Sequence, residues 1–307
     1  AAQHVTCVRA AAAICRATVW GDEIGSSEVH FTPGAVRAGT YHFDVCDVQP
    51  SAGSVTLVLQ AVLPPLLFAG GPTRLILKGG TDVPWSPSYE YLQTAFVPAL
   101  RRAGVQVSVR RLAGGWYPAG GGELQVDLTP RSEPLKPLVL EERGDLRSLT
   151  VFSTVSQNLP EHIVDRQVQG ALRVLPDGLA PSVRVQRERP SGGPGTCLCV
   201  GASFGNGFAA CSVLGQRDKP AERVGEEAGE AFADFHKTGA ALDLHLADQL
   251  LPYLALAAGD SVLLAEDATE HQRTNAWVIS QFLPVHIEFS GDAPVHIHVT
   301  GTGHQPV

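Results

Sequence analysis

The stretch SAGSVTLVLQAVLPPLLFAGGPTRLILK, residues 51–78, holds the pattern that decides the fold. Small residues lead into an apolar helix predicted over 54–68, and either Ser51 or Ser54 can cap it. Glycines end the helix, and a strand is predicted directly after them over 74–78. A helix followed at once by a short strand is typical of helices packed on a small sheet.

The same succession of helices and strands recurs on both sides of this stretch. Helices are predicted over 4–17 and 88–103. Strands are predicted over 29–32, 41–45, 105–111 and 123–128, with turns formed by Gly and Pro. We therefore predict an α+β protein made of repeated, α/β-sandwich-like units, each with its helices on one face of a small sheet.

The middle of the chain has a different pattern. The sequence predicts a helix over 160–175, a strand over 182–187, a loop over 189–195, two strands around Cys197 and Cys211, and a helix opened by Pro220. These elements form a complete small α/β set. We predict an inserted α/β domain at 155–238, with the main catalytic domain made of 1–154 and 239–307.

Composition limits the possible functions. Hydrophobic residues make up 44% of the 307 residues and charged residues 18%, which is typical of a folded globular protein. No apolar run reaches the length of a membrane span, and no secretion signal is visible, so a cytoplasmic protein with reduced thiols is expected. The net charge of −8 argues against a protein that coats nucleic acid, but not against an enzyme acting on one end of it.

A histidine at position 271 stands out in the segment EDATEHQRTN, residues 266–275. The pair Thr274-Asn275 is a possible N-cap for a helix predicted over 276–283. A histidine just before a helix lies near unpaired N–H groups that attract phosphate and disfavour a second positive charge. His271 could then act as a neutral nucleophile toward a nucleoside triphosphate, or it could be an exposed turn residue.

Three other segments have two interpretations each. The loop at 114–123 contains a tyrosine, a proline and three consecutive glycines, and it could approach a nucleobase or simply close a hairpin. His245, Asp248 and Gln249 share one helix face, which could bind a ribose or an adenine edge or be solvated. Gln60 lies in an apolar helix, where its amide could bind a ligand or be satisfied within the core.

Taken together, these segments resemble the RNA 3′-terminal phosphate cyclase family. The matching stretches are Gln3-His4, 31–34, 51–64, 79–82, 117–122, 246–250, 271–275 and 281–285, in the family's order and over nearly the whole chain. The resemblance implies three repeated α+β units plus an inserted α/β domain. That architecture is similar to EPSP synthase, and the repeat is similar to the C-terminal domain of initiation factor three.

The resemblance also implies an activity. In the family, a histidine attacks the α-phosphorus of ATP, and the AMP then passes to the 3′-phosphate of RNA. The neighbouring 2′-hydroxyl attacks that activated phosphate and gives a 2′,3′-cyclic phosphate. The implied cofactors are ATP and Mg²⁺ (or Mn²⁺). The implied partners are ATP and RNA 3′-phosphate ends, with no membrane and no stable protein partner.

Residue roles follow from the matching positions. His271 matches the family nucleophile, Pro118 the residue that packs on adenine, and Gln3 a residue near the RNA phosphate. The positions that match ATP contacts are Gln60, His245, Leu246, Ala247, Asp248 and Gln249.

One departure from the family pattern affects these expectations. The family's Gly-rich N-terminal segment, with its metal-binding Glu and phosphate-binding arginines, does not appear before Gln3. The metal ligand is therefore not assigned, and catalysis without those arginines is expected to be impaired. Two alternatives follow: a non-catalytic, RNA-binding ribosome-assembly relative of the same fold, and an EPSP-synthase-like transferase acting on small anions.

Overall fold

Helix α1 (Ala2–Cys15) is followed by a two-stranded antiparallel ribbon of β1 (Thr18–Trp20) and β2 (His30–Thr32). The computed structural model describes residues 1–188 and 192–305. Residues 189–191 of the loop predicted at 189–195 lie outside the described residues. Helix α1 packs its buried side, which includes Val5 and Ile14, toward the next helix of the chain.

The first four-stranded sheet follows. Its elements are β3 (Thr40–Asp44), a 3₁₀ turn (Val45–Asp47), α2 (Val55–Leu66), β4 (Thr73–Gly79), α3 (Tyr89–Tyr91), a π-helical segment (Leu92–Phe96), α4 (Val97–Arg102), β5 (Val107–Ala113) and β6 (Gly122–Leu128). The strand order is β3-β4-β6-β5, and only β3 and β4 are parallel. Ser54 caps α2 by accepting a hydrogen bond from Leu57 N, as one of the two predicted caps.

The second four-stranded sheet repeats this connectivity. Its elements are β7 (Val139–Leu140), α7 (Leu244–Leu256), β12 (Asp260–Ala265), α8 (Glu270–Phe282), β13 (His286–Ser290) and β14 (Val295–Thr300). The strand order is β7-β12-β14-β13, and again only the first pair is parallel. Each sheet is therefore strand, helix, strand, helix, strand, strand, which makes α2 and α7 equivalent helices. The α+β class is confirmed, and these two units share one connectivity.

An α/β unit with its own core interrupts the second repeat between β7 and α7. Its elements are β8 (Leu146–Ser156), α5 (His162–Val174), β9 (Ser182–Glu188), β10 (Thr196–Phe204), β11 (Phe208–Leu214) and α6 (Ala221–Thr238). Their strand order is β11-β10-β8-β9. The sheet starts at Leu146, before the predicted boundary at 155, so the inserted domain at 155–238 stays a prediction. Cys197 and Cys199 are buried thiols on β10, which is the strand predicted around Cys197.

Close packing of α5 and α6 depends on glycine. A side chain at Gly225 would collide with the backbone oxygen of Gln167, and one at Gly170 would collide with that of Glu222. The two helices therefore approach backbone to backbone, which is possible only without a Cβ at these two positions. Within the described part of the chain, none of the helices is both long and apolar enough to cross a membrane.

A buried ionic cluster connects the first repeat to this α/β unit. The guanidinium of Arg111 on β5 contacts carboxylates of Asp82, Glu90 and Glu188 at 3.1, 2.9 and 3.0 Å, and its side chain is fully buried. Burial alone would lower the pKa of Arg111, but the three carboxylates raise it above its ordinary value. Burial raises the pKa of Glu90 despite the nearby arginine. One cation thus holds three acidic side chains from separate parts of the chain.

We expect Arg111→Gln to destabilise the protein by about 3–5 kcal/mol, because it leaves buried carboxylates without their cation. The neighbouring exposed Arg110 provides the matched control, and Arg110→Gln should change the stability by no more than about 0.5 kcal/mol. Urea unfolding followed by circular dichroism measures both. Equal urea midpoints for the two variants would show that the cluster does not stabilise the fold.

Candidate active site

A cavity of about 330 Å³ lies between α2, α7 and α8. The residues that line it are Gln60, Asp248, Gln249, Pro252, Tyr253, His271, Thr274, Asn275 and Val278. Four of the residues singled out from the sequence, Gln60, Asp248, Gln249 and His271, are therefore brought together although they come from three helices. The volume is at the lower end of the range of small-molecule sites.

The equivalence of α2 and α7 explains why two glutamines meet in this cavity. Gln60 lies six residues after the cap of α2, Ser54, and Gln249 lies six residues after the cap of α7, Asp243. The same position in two equivalent helices thus carries the same amide. The fold repeat places the two glutamines in the lining of one cavity.

Three buried polar atoms of its lining residues have no hydrogen-bond partner within the described residues. They are Gln60 Nε2, Gln249 Oε1 and the hydroxyl of Tyr253. Burial raises the pKa of Tyr253, so this hydroxyl stays protonated and can donate a hydrogen bond. Buried polar groups are normally paired, and three unpaired ones around one cavity are suited to a polar ligand.

The start of α8 corrects the sequence prediction. The helix begins at Glu270, not at Ala276, and His271 is its second residue. The N-cap is Thr269, which accepts a hydrogen bond from Gln272 N, while the Gln272 side chain accepts one from Thr269 N. This reciprocal capping box satisfies two N–H groups, which explains the earlier start. His271 therefore lies within the first turn, still at the positive end of the helix dipole.

The side chain of Asp248 holds His271 in a defined orientation. Asp248 Oδ2 lies 2.9 Å from His271 Nδ1, and Asp248 Oδ1 accepts a hydrogen bond from Asn275 Nδ2 at 3.0 Å. A carboxylate only accepts hydrogen bonds, so a contact of 2.9 Å favours the tautomer with its proton on Nδ1. In a neutral ring this leaves Nε2 with an unshared electron pair. The His271 side chain is 82% exposed, so a ligand can reach that nitrogen.

The other predicted site residues lie elsewhere. Pro118 lines a larger cavity together with Trp116 and Tyr117, and it does not line the cavity at His271. Gln3 accepts a hydrogen bond from Ser54 N at 2.7 Å, and so supports the start of α2.

Within the predicted segment 245–249, only the last two residues line the cavity at His271. Leu246 and Ala247 are fully buried in the core, while His245 is exposed at the start of α7. A contact between ATP and these three residues stays a prediction.

Comparison with known proteins then decides the family. The model of the RNA 3′-terminal phosphate cyclase family matches residues 1–289. The chain belongs to this family. Relatives named RNA 3′-terminal phosphate cyclase include one from Nitrosospira multiformis, 39% identical over 95% of this chain and 82% of the relative. Another, from Methylococcus capsulatus, is 40% identical over 99% of this chain and 86% of the relative. A third, from Methanopyrus kandleri, is 39% identical over 94% of this chain and 82% of the relative. The resemblance stated from the sequence is confirmed, and the family is one of enzymes.

Two residues of the site in this cyclase-family chain were not predicted from the sequence. Asn275 was interpreted only as part of a cap, but its amide holds Asp248. The signal was present, because residues 271 and 275 are four apart and share a helix face. Tyr253 on α7 carried no such signal, because the lack of a partner for its hydroxyl among the described residues is visible only in the structure.

We expect Thr269→Ala to lower the stability by about 1 kcal/mol, because it removes the cap of α8 in this cyclase-family fold. Thr274→Ala is the matched control, since Thr274 is exposed inside the helix and alanine is a better helix former there. Free energies of unfolding from urea titrations measure both changes. A larger loss of stability for Thr274→Ala than for Thr269→Ala would instead support the helix start predicted from the sequence.

Proposed function

We propose that this chain converts an RNA 3′-terminal phosphate to a 2′,3′-cyclic phosphate with ATP, through a covalent adduct of AMP with His271. The observation that carries the proposal is the contact of 2.9 Å between His271 Nδ1 and Asp248 Oδ2. It directs the unshared pair of Nε2 away from Asp248, next to a cavity lined by amide groups. Family membership and the names of the relatives support the overall reaction.

In the first step, a bond forms between His271 Nε2 and the α-phosphorus of ATP. The bond from that phosphorus to the bridging oxygen breaks, and pyrophosphate leaves. The imidazole of the adduct carries a positive charge, which the Asp248 carboxylate stabilises from 2.9 Å. Asp248 itself is held by Asn275, so the orientation is preset before the reaction.

The second step transfers AMP to the RNA, and the third step closes the cyclic phosphate. An oxygen of the RNA 3′-phosphate attacks the phosphorus of the adduct, and the N–P bond breaks with its electrons returning to Nε2. The 2′-hydroxyl oxygen then attacks the 3′-phosphorus and gives up its proton, and AMP leaves. The last step is intramolecular, because the 2′- and 3′-oxygens are neighbours on one ribose.

ATP recognition is proposed for the residues around this nitrogen. Gln60 Nε2 and Gln249 Oε1 can pair with the nucleotide, because neither has a partner among the described residues. His245 is exposed on the same helix as Gln249, and Pro118 is proposed to pack on the adenine from the loop after β5. Leu246 and Ala247 would contribute their backbone only, and Gln3 is proposed to act near the RNA phosphate.

Metal binding and cellular context complete the proposal. Among the described residues, no group of three His, Cys, Asp or Glu side chains could hold a metal ion. We propose that Mg²⁺ or Mn²⁺ arrives with ATP and neutralises its phosphates. The proposed setting is the cytoplasm, without a stable protein partner. A non-catalytic RNA-binding relative would not need an exposed histidine held by a carboxylate.

The direct test is covalent labelling of the full-length protein by α-³²P-ATP with Mg²⁺. We expect acid-labile label on the wild type and none on His271→Ala, because the nucleophile is absent. His286→Ala, which removes an exposed histidine on β13, should label like the wild type. Label that survives in His271→Ala would refute the proposed nucleophile, and its absence from every variant would favour an RNA-binding relative.

A second test addresses Asp248. We expect Asp248→Asn to slow labelling by about 10²- to 10⁴-fold, because the amide no longer fixes the proton on Nδ1 or stabilises the cation. Glu270→Gln removes a carboxylate from the residue before His271 and should leave the rate unchanged. Single-turnover labelling measures both rates. Equal slowing in both variants would show that general charge, and not the Asp248 contact, matters.

A further inference from the structure

A second, larger cavity of about 790 Å³ lies where the loop 116–118 meets the α/β unit. Its apolar wall is formed by Leu159, Ile163, Pro194, Leu214, Ala221 and Val224. The residues Gln60, Asp248, Gln249 and His271 line the other cavity and not this one. Pro118 is the residue of the site proposed above that also borders this cavity, and the proposed reaction gives no role to the rest of its lining.

Two residues that line this cavity carry a buried hydrogen-bond donor that has no partner among the described residues. The Gln167 side chain is fully buried, and its Oε1 accepts hydrogen bonds from Ser153 and Thr196 at 2.8 and 2.9 Å. Its Nε2 has no acceptor in the described parts of the chain. Trp116 is 2% exposed, and its indole Nε1 also lacks an acceptor there. Two such donors on one cavity are suited to a ligand that offers acceptors.

Two helix starts and several basic side chains line the same cavity. The first residues of α5 and α6, His162 and Ala221, both line it, and no side chain in the described part of the chain caps either helix. Uncapped helix starts present N–H groups and the positive end of the dipole to an anion. Arg217 lines the cavity as well, is exposed, and has no ion pair within the described residues. By contrast, the lining cations Arg166 and Lys219 are already paired, with Glu222 and Glu227.

We propose that this cavity binds a phosphorylated nucleoside. The phosphate would lie at the two helix starts and Arg217, and the base would lie against the apolar wall. The indole and amide N–H groups of Trp116 and Gln167 would donate to acceptors on the base or ribose. The nucleotide is either a free mononucleotide or one unit of an RNA strand, and only the second source rests on the function proposed above.

The location is tested by NMR on the full chain labelled with ¹⁵N-tryptophan. Each of the four Trp residues gives one indole N–H signal, and Trp116→Phe assigns the signal of Trp116. We expect uridine 5′-monophosphate, oligouridylate with a 3′-phosphate, or both to shift the Trp116 signal. A shift with the mononucleotide indicates a free nucleotide as ligand, and a shift with the oligonucleotide alone indicates an RNA strand. No shift with either ligand would overturn the proposal.

Variants test the anion position by calorimetry with whichever ligand shifts the signal. We expect Arg217→Gln to weaken binding about tenfold, the scale of one lost hydrogen bond to a charged group. Lys237→Gln removes a cation near the other end of α6 and should leave the Kd unchanged. Equal dissociation constants for Arg217→Gln and the wild type would contradict the proposal. Labelling of His271 by ATP, measured on the same samples, reports separately on the proposed function.

Discussion

The carboxylate of Asp248 is the interaction on which the candidate active site depends. One of its oxygens lies 2.9 Å from His271 Nδ1, and the other accepts a hydrogen bond from Asn275 at 3.0 Å. It therefore joins α7 to α8 and fixes the orientation of an otherwise exposed ring. Without it, an 82% exposed histidine would sample several rotamers, and Nε2 would have no defined direction.

The repeat of the fold supplies the surroundings of that ring. The equivalent helices α2 and α7 carry Gln60 and Gln249 at the same distance from their caps, and both amides line the cavity at His271. A second contact joins α8 to α7 without Asp248: Gln272 Nε2 donates a hydrogen bond to the carbonyl oxygen of Leu244 at 2.9 Å. The position of His271 thus depends on the hydrogen bond of its neighbour Gln272 as well as on its own contact with Asp248.

Much of this arrangement could be predicted from the sequence, for identifiable reasons. The helix over 54–68 and the helix opened by Pro220 had clear periodicity and end signals, and both are present as α2 and α6. The predicted start of α8 was wrong, because Thr274-Asn275 was chosen as the N-cap instead of the capping box of Thr269 and Gln272. The cluster around Arg111 and the cavity next to Pro118 depend on contacts between distant segments, which local patterns do not encode.

The tautomer of His271 tests the central claim most directly. Two-bond ¹H–¹⁵N correlation spectra of the protein labelled with ¹⁵N-histidine distinguish a protonated ring nitrogen from one with an unshared pair. At a pH where the ring is neutral, the account predicts a proton on Nδ1 and an unshared pair on Nε2. A proton on Nε2 instead would contradict it, because the nitrogen proposed to attack ATP would then lack its electron pair.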